Sequence, residues 1–300
     1  MAALDQSWAP ADATLAGLMS DLEQLWQALD TAFAGLDARA WRTRHGAKWQ
    51  LSDVPWHMAY FDREVVAEGI ARGGAMAGSG CLPMQTLAEF AAWNERHFAA
   101  RPPQLDVGSA VEAMRASRAA IRAATAQLTE EDLSRPVWIA LTGYGGWRSV
   151  RFVLALARMH TWSHLTQVRQ HLRLATADPG PAVTRAAVDG YLRSLPVLWS
   201  TGPVEGPPVT VAVRLTGPGG GHWAVQLSEQ GCRVGAELPA AAEVEISSSP
   251  ELLVALLADI VSPPAALLRG DLRIRGWRHV PRIARLLRRP SPDRVLAPLP

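Results

Sequence analysis

From Trp147 to Ala177 the chain runs without a proline or glycine, and its apolar residues recur at helical spacing. Such a run predicts one long amphipathic helix, which has to bury its apolar stripe against other helices. Inside it lies Arg158-Met159-His160-Thr161-Trp162-Ser163-His164-Leu165-Thr166-Gln167. Residues four apart on a helix share a face and sit about 6 Å apart along its axis. His160 and His164 therefore point the same way, close enough for their imidazoles to hold one cation. Two histidines do not make a site, and a third ligand has to come from elsewhere in the chain.

The stretches before this helix supply it with partners. Leu15, Leu18, Leu22, Leu25, Trp26 and Leu29 recur at steps of three and four, predicting a helix over residues 12–36. Trp41 to Gln50 reads as a polar connection. A second helix is expected from Ser52 or Asp53, with Pro55 in its first turn, to Arg72, where Gly73 and Gly74 stop it. Thr86 and Glu89 form a capping box that opens a shorter helix ending before Arg101-Pro102-Pro103. A further helix spans residues 107–128, and Pro136 to Gly146 reads as irregular. Four long helices with one short extra make a bundle, in which sites are built from inward-facing side chains on different helices.

The character of the chain changes at Asp178-Pro179-Gly180-Pro181. One helix over residues 182–199 follows, and then Val209 to Leu215 alternates at period two. A Gly-rich turn leads to a second strand over Trp223 to Leu227, with short strands near Cys232 and over Glu243 to Ile246. Helices are expected over Pro250 to Ile260 and Val280 to Arg288, separated by the strand-like Asp271 to Arg275. The chain is therefore multi-domain: a helical bundle over residues 1–177, then a small α+β domain over residues 182–300.

Composition excludes several classes of function. Hydrophobic residues make up 48% and charged residues 19%, as in globular chains. The net charge of +2 gives no field that points to nucleic acid. No apolar stretch reaches the ~20 residues that cross a bilayer, and no basic-then-apolar leader opens the chain. Cys81 and Cys232 do not make a disulfide framework. These features predict a soluble, cytoplasmic protein that takes small molecules and binds neither nucleic acid nor membrane.

The second helix carries one histidine, His57, within Trp49-Gln50-Leu51-Ser52-Asp53-Val54-Pro55-Trp56-His57. A Trp, a short capped lead-in and a His one or two turns into a helix resemble the DinB-like four-helix-bundle family. The stretch His160 to Gln167 is similar to that family's second motif. The resemblance implies a metal triad of one His from the second helix and two residues four apart on the last, which falls on His57, His160 and His164. Ala265 to Gly276 is similar to the sterol carrier protein fold. A DinB-like bundle followed by such a domain resembles the mycothiol-dependent maleylpyruvate isomerase group. In that group the first position of the last-helix pair is a glutamate; here it is His160. The departure bears on the particular isomerase reaction rather than on metal binding.

Three protein ligands with an open fourth position are the usual arrangement of a catalytic zinc site, and imidazoles also suit nickel or iron. Three neutral imidazoles leave the ion its double charge, which favours ionising a thiol or water in the open position. Thr161 stands where a zincin protease carries its glutamate base, and a thiol co-substrate needs no such base. The expected activity is transfer of a low-molecular-weight, mycothiol-like thiol to a small electrophile, or isomerisation of that electrophile. A metal-dependent hydrolase using bound water is an alternative, and so is a lipid or hydrophobic-ligand carrier without catalysis. The plainer reading of His160 and His164 as packed helix residues stands beside all three.

Other residues are secondary candidates. Tyr60 and Glu64 lie near the inward stripe of the His57 helix, where they orient a ligand or touch the thiol or substrate, or else are an ordinary tyrosine and a solvated glutamate. Gln167 lies close to the cavity, three residues after His164. Arg273 and Arg275 share one strand face, either as a carboxylate clamp or as a solvated pair. Trp56 and Trp162 are expected in packing. His171 is expected to serve the end of its helix, and His45, His97, His222 and His279 to lie on the surface.

Overall fold

The computed structural model describes residues 13–45, 49–73, 86–102, 106–139, 146–172, 177–195, 207–228, 231–235, 241–257, 261–281 and 283. The chain forms two compact units, and helices dominate its N-terminal part. The first long helix, α1 (Leu15–Ala34), buries Leu18, Leu22, Leu25, Trp26 and Leu29, the stripe its spacing predicts. A short helix, α2 (Ala38–Trp41), precedes the polar connection expected over Trp41 to Gln50, and that connection holds a hairpin of two short strands, β1 (Arg44–His45) and β2 (Trp49–Gln50).

The helix that carries His57 is less regular than its sequence suggests. A single 3₁₀ turn, Leu51–Asp53, leads into α3 (Val54–Tyr60), then a π-helical turn (Phe61–Ala67), then α4 (Glu68–Arg72). Asp53 is the N-cap residue of α3, as expected, and Gln50 caps the 3₁₀ turn before it: the Gln50 side chain accepts from the Asp53 backbone, while Asp53 Oδ2 accepts from Gln50 N at 2.8 Å. Gly73, at φ 55, ends the run as expected. The π turn has no signature in residue spacing, because it inserts one residue without a Pro or Gly.

The capping box of Thr86 and Glu89 opens α5 (Leu87–Ala99), and the Asp106 side chain caps α6 (Val107–Thr125). Both α5 and α6 pack against α3. Residues 136–139 correct the expected irregular segment: β3 (Pro136–Ile139) pairs antiparallel with β4 (Gly146–Ser149). That pairing moves the start of the histidine helix, α7 (Val150–Leu172), past Trp147. Arg158 of α7 is buried and bonds Asp21 of α1 at 2.7 Å, so its charge enters the helical core already paired.

The C-terminal unit is a five-stranded sheet in the order β7-β6-β5-β8-β9. Its strands are β5 (Val209–Leu215), β6 (Gly221–Ser228), β7 (Gly231–Gly235), β8 (Val244–Ser248) and β9 (Arg273–Arg275). The first three form antiparallel hairpins; β8 then joins the free edge of β5 in parallel, and β9 closes antiparallel on β8. The helix α8 (Pro181–Arg193) packs on this unit, with Trp223 Nε1 donating to Asp189 Oδ1 at 2.9 Å and Arg185 over the Trp223 ring. Further on come α9 (Pro250–Leu257) and α10 (Pro263–Arg269); the second was not expected, although Ser262 caps it and two prolines sit in its first turn. The helix expected over Val280 to Arg288 shows only its beginning among the described residues. The unit is α+β, as the alternation and turn signals predict. No helix among the described residues is long and apolar enough to cross a membrane.

Gly276, which follows β9, sits at φ 80, and a Cβ there would collide with the backbone oxygen of Glu243. Gly276→Ala is expected to destabilise the C-terminal unit by roughly 2 kcal/mol or more, since strain and backbone displacement add. Urea unfolding followed by Trp fluorescence measures it, and an unchanged midpoint would contradict the close approach.

Candidate metal centre

His57 comes from α3, while His160 and His164 come from successive turns of α7. One ring nitrogen from each of the three lies within 4.8 Å of the others. His57 and His164 are buried and His160 half-buried. The Nε2 atoms of His57 and His160 are 3.0 Å apart. Two bare ring nitrogens at that separation repel, so a proton or a cation has to lie between them. A tetrahedral zinc with Zn–N bonds of about 2.0–2.1 Å spaces its ligand atoms about 3.3 Å apart, close to what this pair already shows. The three-imidazole donor set and its spacing thus fit a divalent ion of the zinc, nickel, copper or iron type.

The walls of the centre are aromatic. Phe61 stacks on the His160 ring with centroids 3.8 Å apart, and Trp49 lies 4.8 Å from the His57 ring. The Trp of the sequence motif therefore packs on the histidine that follows it. Such walls lower the local dielectric and strengthen every charge interaction within the centre.

A polar layer backs His57. Its Nδ1 lies 2.6 Å from the Tyr60 hydroxyl, which donates in turn to Asn94 Oδ1 at 2.6 Å. Burial, with the charges of Glu64 and Asp53 adding to it, raises the Tyr60 phenol above its ordinary range and keeps it protonated. The Tyr60 ring stacks on His97 at 4.2 Å, and His97 Nε2 meets Glu64 Oε2 at 3.1 Å. Burial holds the His97 pKa below the usual imidazole value, with Glu64 opposing. The expectation that His97 is a surface residue is thereby corrected: it supports the tyrosine behind His57. Of the secondary candidates, Tyr60 touches a triad residue, whereas Glu64 acts one step further out. Asn94 and His97 are site residues that residue spacing does not single out. Their only sequence signal is the stripe Trp93, Asn94, His97 and Phe98, three and four apart on α5.

The remaining candidates fall in different places. Gln167 is half-buried, one turn beyond His164, and its Oε1 is buried without a hydrogen-bond partner. Trp162 is core, and Trp56 donates from Nε1 to the His97 carbonyl at 3.0 Å. Arg273 and Arg275 share the exposed face of β9, in register with Ser247 and Glu245 of β8. Arg273 also lines a cavity of about 470 Å³ with Ser247, Ser249, Glu251, Leu252 and Asp271. His222 is exposed, and His279, half-buried, accepts from Arg278 Nε at 2.9 Å. The side chains of His45 and His171 lie outside the described residues.

Residues 21–168 match the DinB superfamily, and residues 208–280 match the SCP-2 sterol transfer family. No curated protein matches the sequence. Among solved structures, the chain is similar to the mycothiol-dependent maleylpyruvate isomerase, with a TM-score of 0.54 at 13% identity over 84% of this chain and 92% of that one. A histidine-to-alanine variant of that isomerase gives a TM-score of 0.53 at 13% identity, covering 88% and 93% of the two chains. At such identity the likeness establishes a common fold. Residues 21–168, which carry the three histidines, thus form a DinB superfamily domain, and an SCP-2 sterol transfer family domain follows it.

Proposed function

We propose that this protein is a metal-dependent enzyme that uses a low-molecular-weight thiol, of the mycothiol kind, as co-substrate toward a small electrophile. In this reading His57, His160 and His164 hold a divalent ion, zinc first and nickel or iron as alternatives. The helical domain, bounded at residue 177, carries the centre, and the domain from residue 182 follows it. The enzyme acts in the cytoplasm. The observation that carries the reading is the convergence of three imidazoles, with no carboxylate among the donors, beneath aromatic walls. When bound, the ion supplies a strong positive charge that lowers the pKa of a thiol in its remaining position. A solved structure of like fold is a mycothiol-dependent isomerase by name, which supports a thiol over water as the partner.

The chain's own residues do the rest. Phe61 and Trp49 limit water at the reacting sulfur, which favours a bare nucleophile. Gln167 offers an unpartnered amide oxygen to an N–H of the thiol or substrate. Arg273 and Arg275 form a guanidinium pair suited to a carboxylate on either of them. Addition of the thiolate to a conjugated C=C forms a C–S bond and converts the double bond to a single one. Rotation and expulsion of the same thiolate give the geometric isomer and return the thiol; protonation of the adduct instead gives the transfer product.

The test uses purified full-length protein loaded with zinc, a panel of low-molecular-weight thiols and small electrophiles. Both free thiol and substrate are followed, because isomerisation leaves the thiol count unchanged. The expected result is turnover that requires thiol and ion together. Turnover without thiol would replace this reading with a hydrolase, and a co-purified lipid with no metal would replace it with a carrier.

A further inference from the structure

We infer that Asn94 and Tyr60 act as a positioning pair that locks His57 in the tautomer whose Nε2 lone pair faces the ion. The inference rests on the proposed metal centre and adds to it residues that hold no ion themselves. A phenol has one hydrogen to give. The Tyr60 hydroxyl gives it to Asn94 Oδ1 at 2.6 Å, so toward His57 it can only accept. The 2.6 Å contact with His57 Nδ1 is then an Nδ1–H donated to the phenol oxygen. Nε2 is left without a hydrogen, and Nε2 is the atom 3.0 Å from His160 Nε2, where an ion belongs. The opposite tautomer would turn the phenol hydrogen back to His57 and strip buried Asn94 of its donor, a penalty the fold has no reason to accept.

The phenol is also fixed in space. Its ring is stacked on His97 at 4.2 Å and met edge-on by Trp93 at 5.0 Å, both from α5. Asn94 lies on the same helix. The short helix that a four-helix bundle does not need is thus the element that sets the orientation of the first ligand. Metal-bound imidazoles are commonly held in this manner by an acceptor on the other nitrogen, which also raises their basicity.

Zinc affinity of the full-length protein, measured by competition with a chromophoric chelator, tests the pair, together with the d–d absorption of the cobalt-substituted protein. Tyr60→Phe and Asn94→Leu are expected to lose about 10- to 100-fold in affinity and to shift the cobalt band. Asn94→Asp keeps an acceptor oxygen and is expected to stay within about threefold of wild type. A merely structural role would lower melting temperature in all three variants without separating Asn94→Asp from Asn94→Leu in affinity. Wild-type affinity and an unshifted band in Tyr60→Phe, alongside loss of the ion in His57→Ala, would overturn the pairing and leave the metal centre standing. A wild-type protein that takes up no zinc at the triad would overturn both.

Discussion

His57→Ala protein, purified beside the wild type, is expected to contain only background zinc where the wild type holds close to one ion per chain. Zinc centres with their full ligand set bind with roughly 10–16 kcal/mol, so one ligand's share is about 3–4 kcal/mol, or 10²- to 10³-fold in affinity. What remains is a pair of histidines one turn apart on α7, a weak site on a helix face. Elemental analysis reads the stoichiometry, and thiol-dependent turnover should fall in parallel by a comparable factor. Retention of a full equivalent of ion in the variant would show that residue 57 is not a ligand. His160→Glu makes the companion experiment, because it exchanges one imidazole of the triad for a carboxylate. An oxygen ligand at about 2.0–2.2 Å keeps the ion but removes one unit of positive charge from the centre. The thiol-dependent pH profile is then expected to move to higher pH, since a less positive centre ionises a thiol less readily. An unmoved profile would mean that the centre's charge does not govern the thiol.

The three histidines could be found from sequence because two of them obey a local rule, the four-residue step, and the third sits in a short motif. The layer behind them could not. Asn94 and His97 reach Tyr60 across the gap between two helices, and nothing in the spacing of residues 87–99 announces which neighbour they face. The same limit explains the misplaced start of α7. Trp147, Arg148 and Ser149 contain no helix breaker, so residue types alone start the helical run there. Their pairing with Trp138, Val137 and Pro136 makes them a strand instead, and only the long-range partner decides. Pro136 and Gly146, read as marks of an irregular segment, are each the first residue of a hairpin strand, where such residues are tolerated. In the C-terminal unit the alternation of Val209 to Leu215 was enough to fix a strand. The Pro263-Pro264 pair hid a short helix by looking like a linker.

Asp62 carries the second large expectation, a dependence of stability on pH that a single amide removes. It lies in the π turn between α3 and α4, it is fully buried, and neither carboxyl oxygen has a hydrogen-bond partner. Burial pushes its pKa up to about 7, with the Arg118 guanidinium pulling the other way and losing. In the unfolded chain the group titrates near the ordinary value of about 4. Below that pH both states hold the proton and the folded protein has its full stability. Between about 4 and about 7 the unfolded chain gives up the proton while the folded one keeps it, so stability falls as pH rises, and above about 7 it levels off. The difference between the two values corresponds to roughly 4 kcal/mol at most. Asp62→Asn has no proton to lose. Urea unfolding should therefore find the variant close to wild type at pH 4 and more stable by about 2–4 kcal/mol at pH 8. If the variant is instead weaker at pH 8, the pull of Arg118 outweighs burial, and the acid serves as that cation's partner. A stabilised variant would identify the π turn as a place where the fold tolerates an ionisable group at its own expense, next in sequence to Phe61, whose ring stacks on His160.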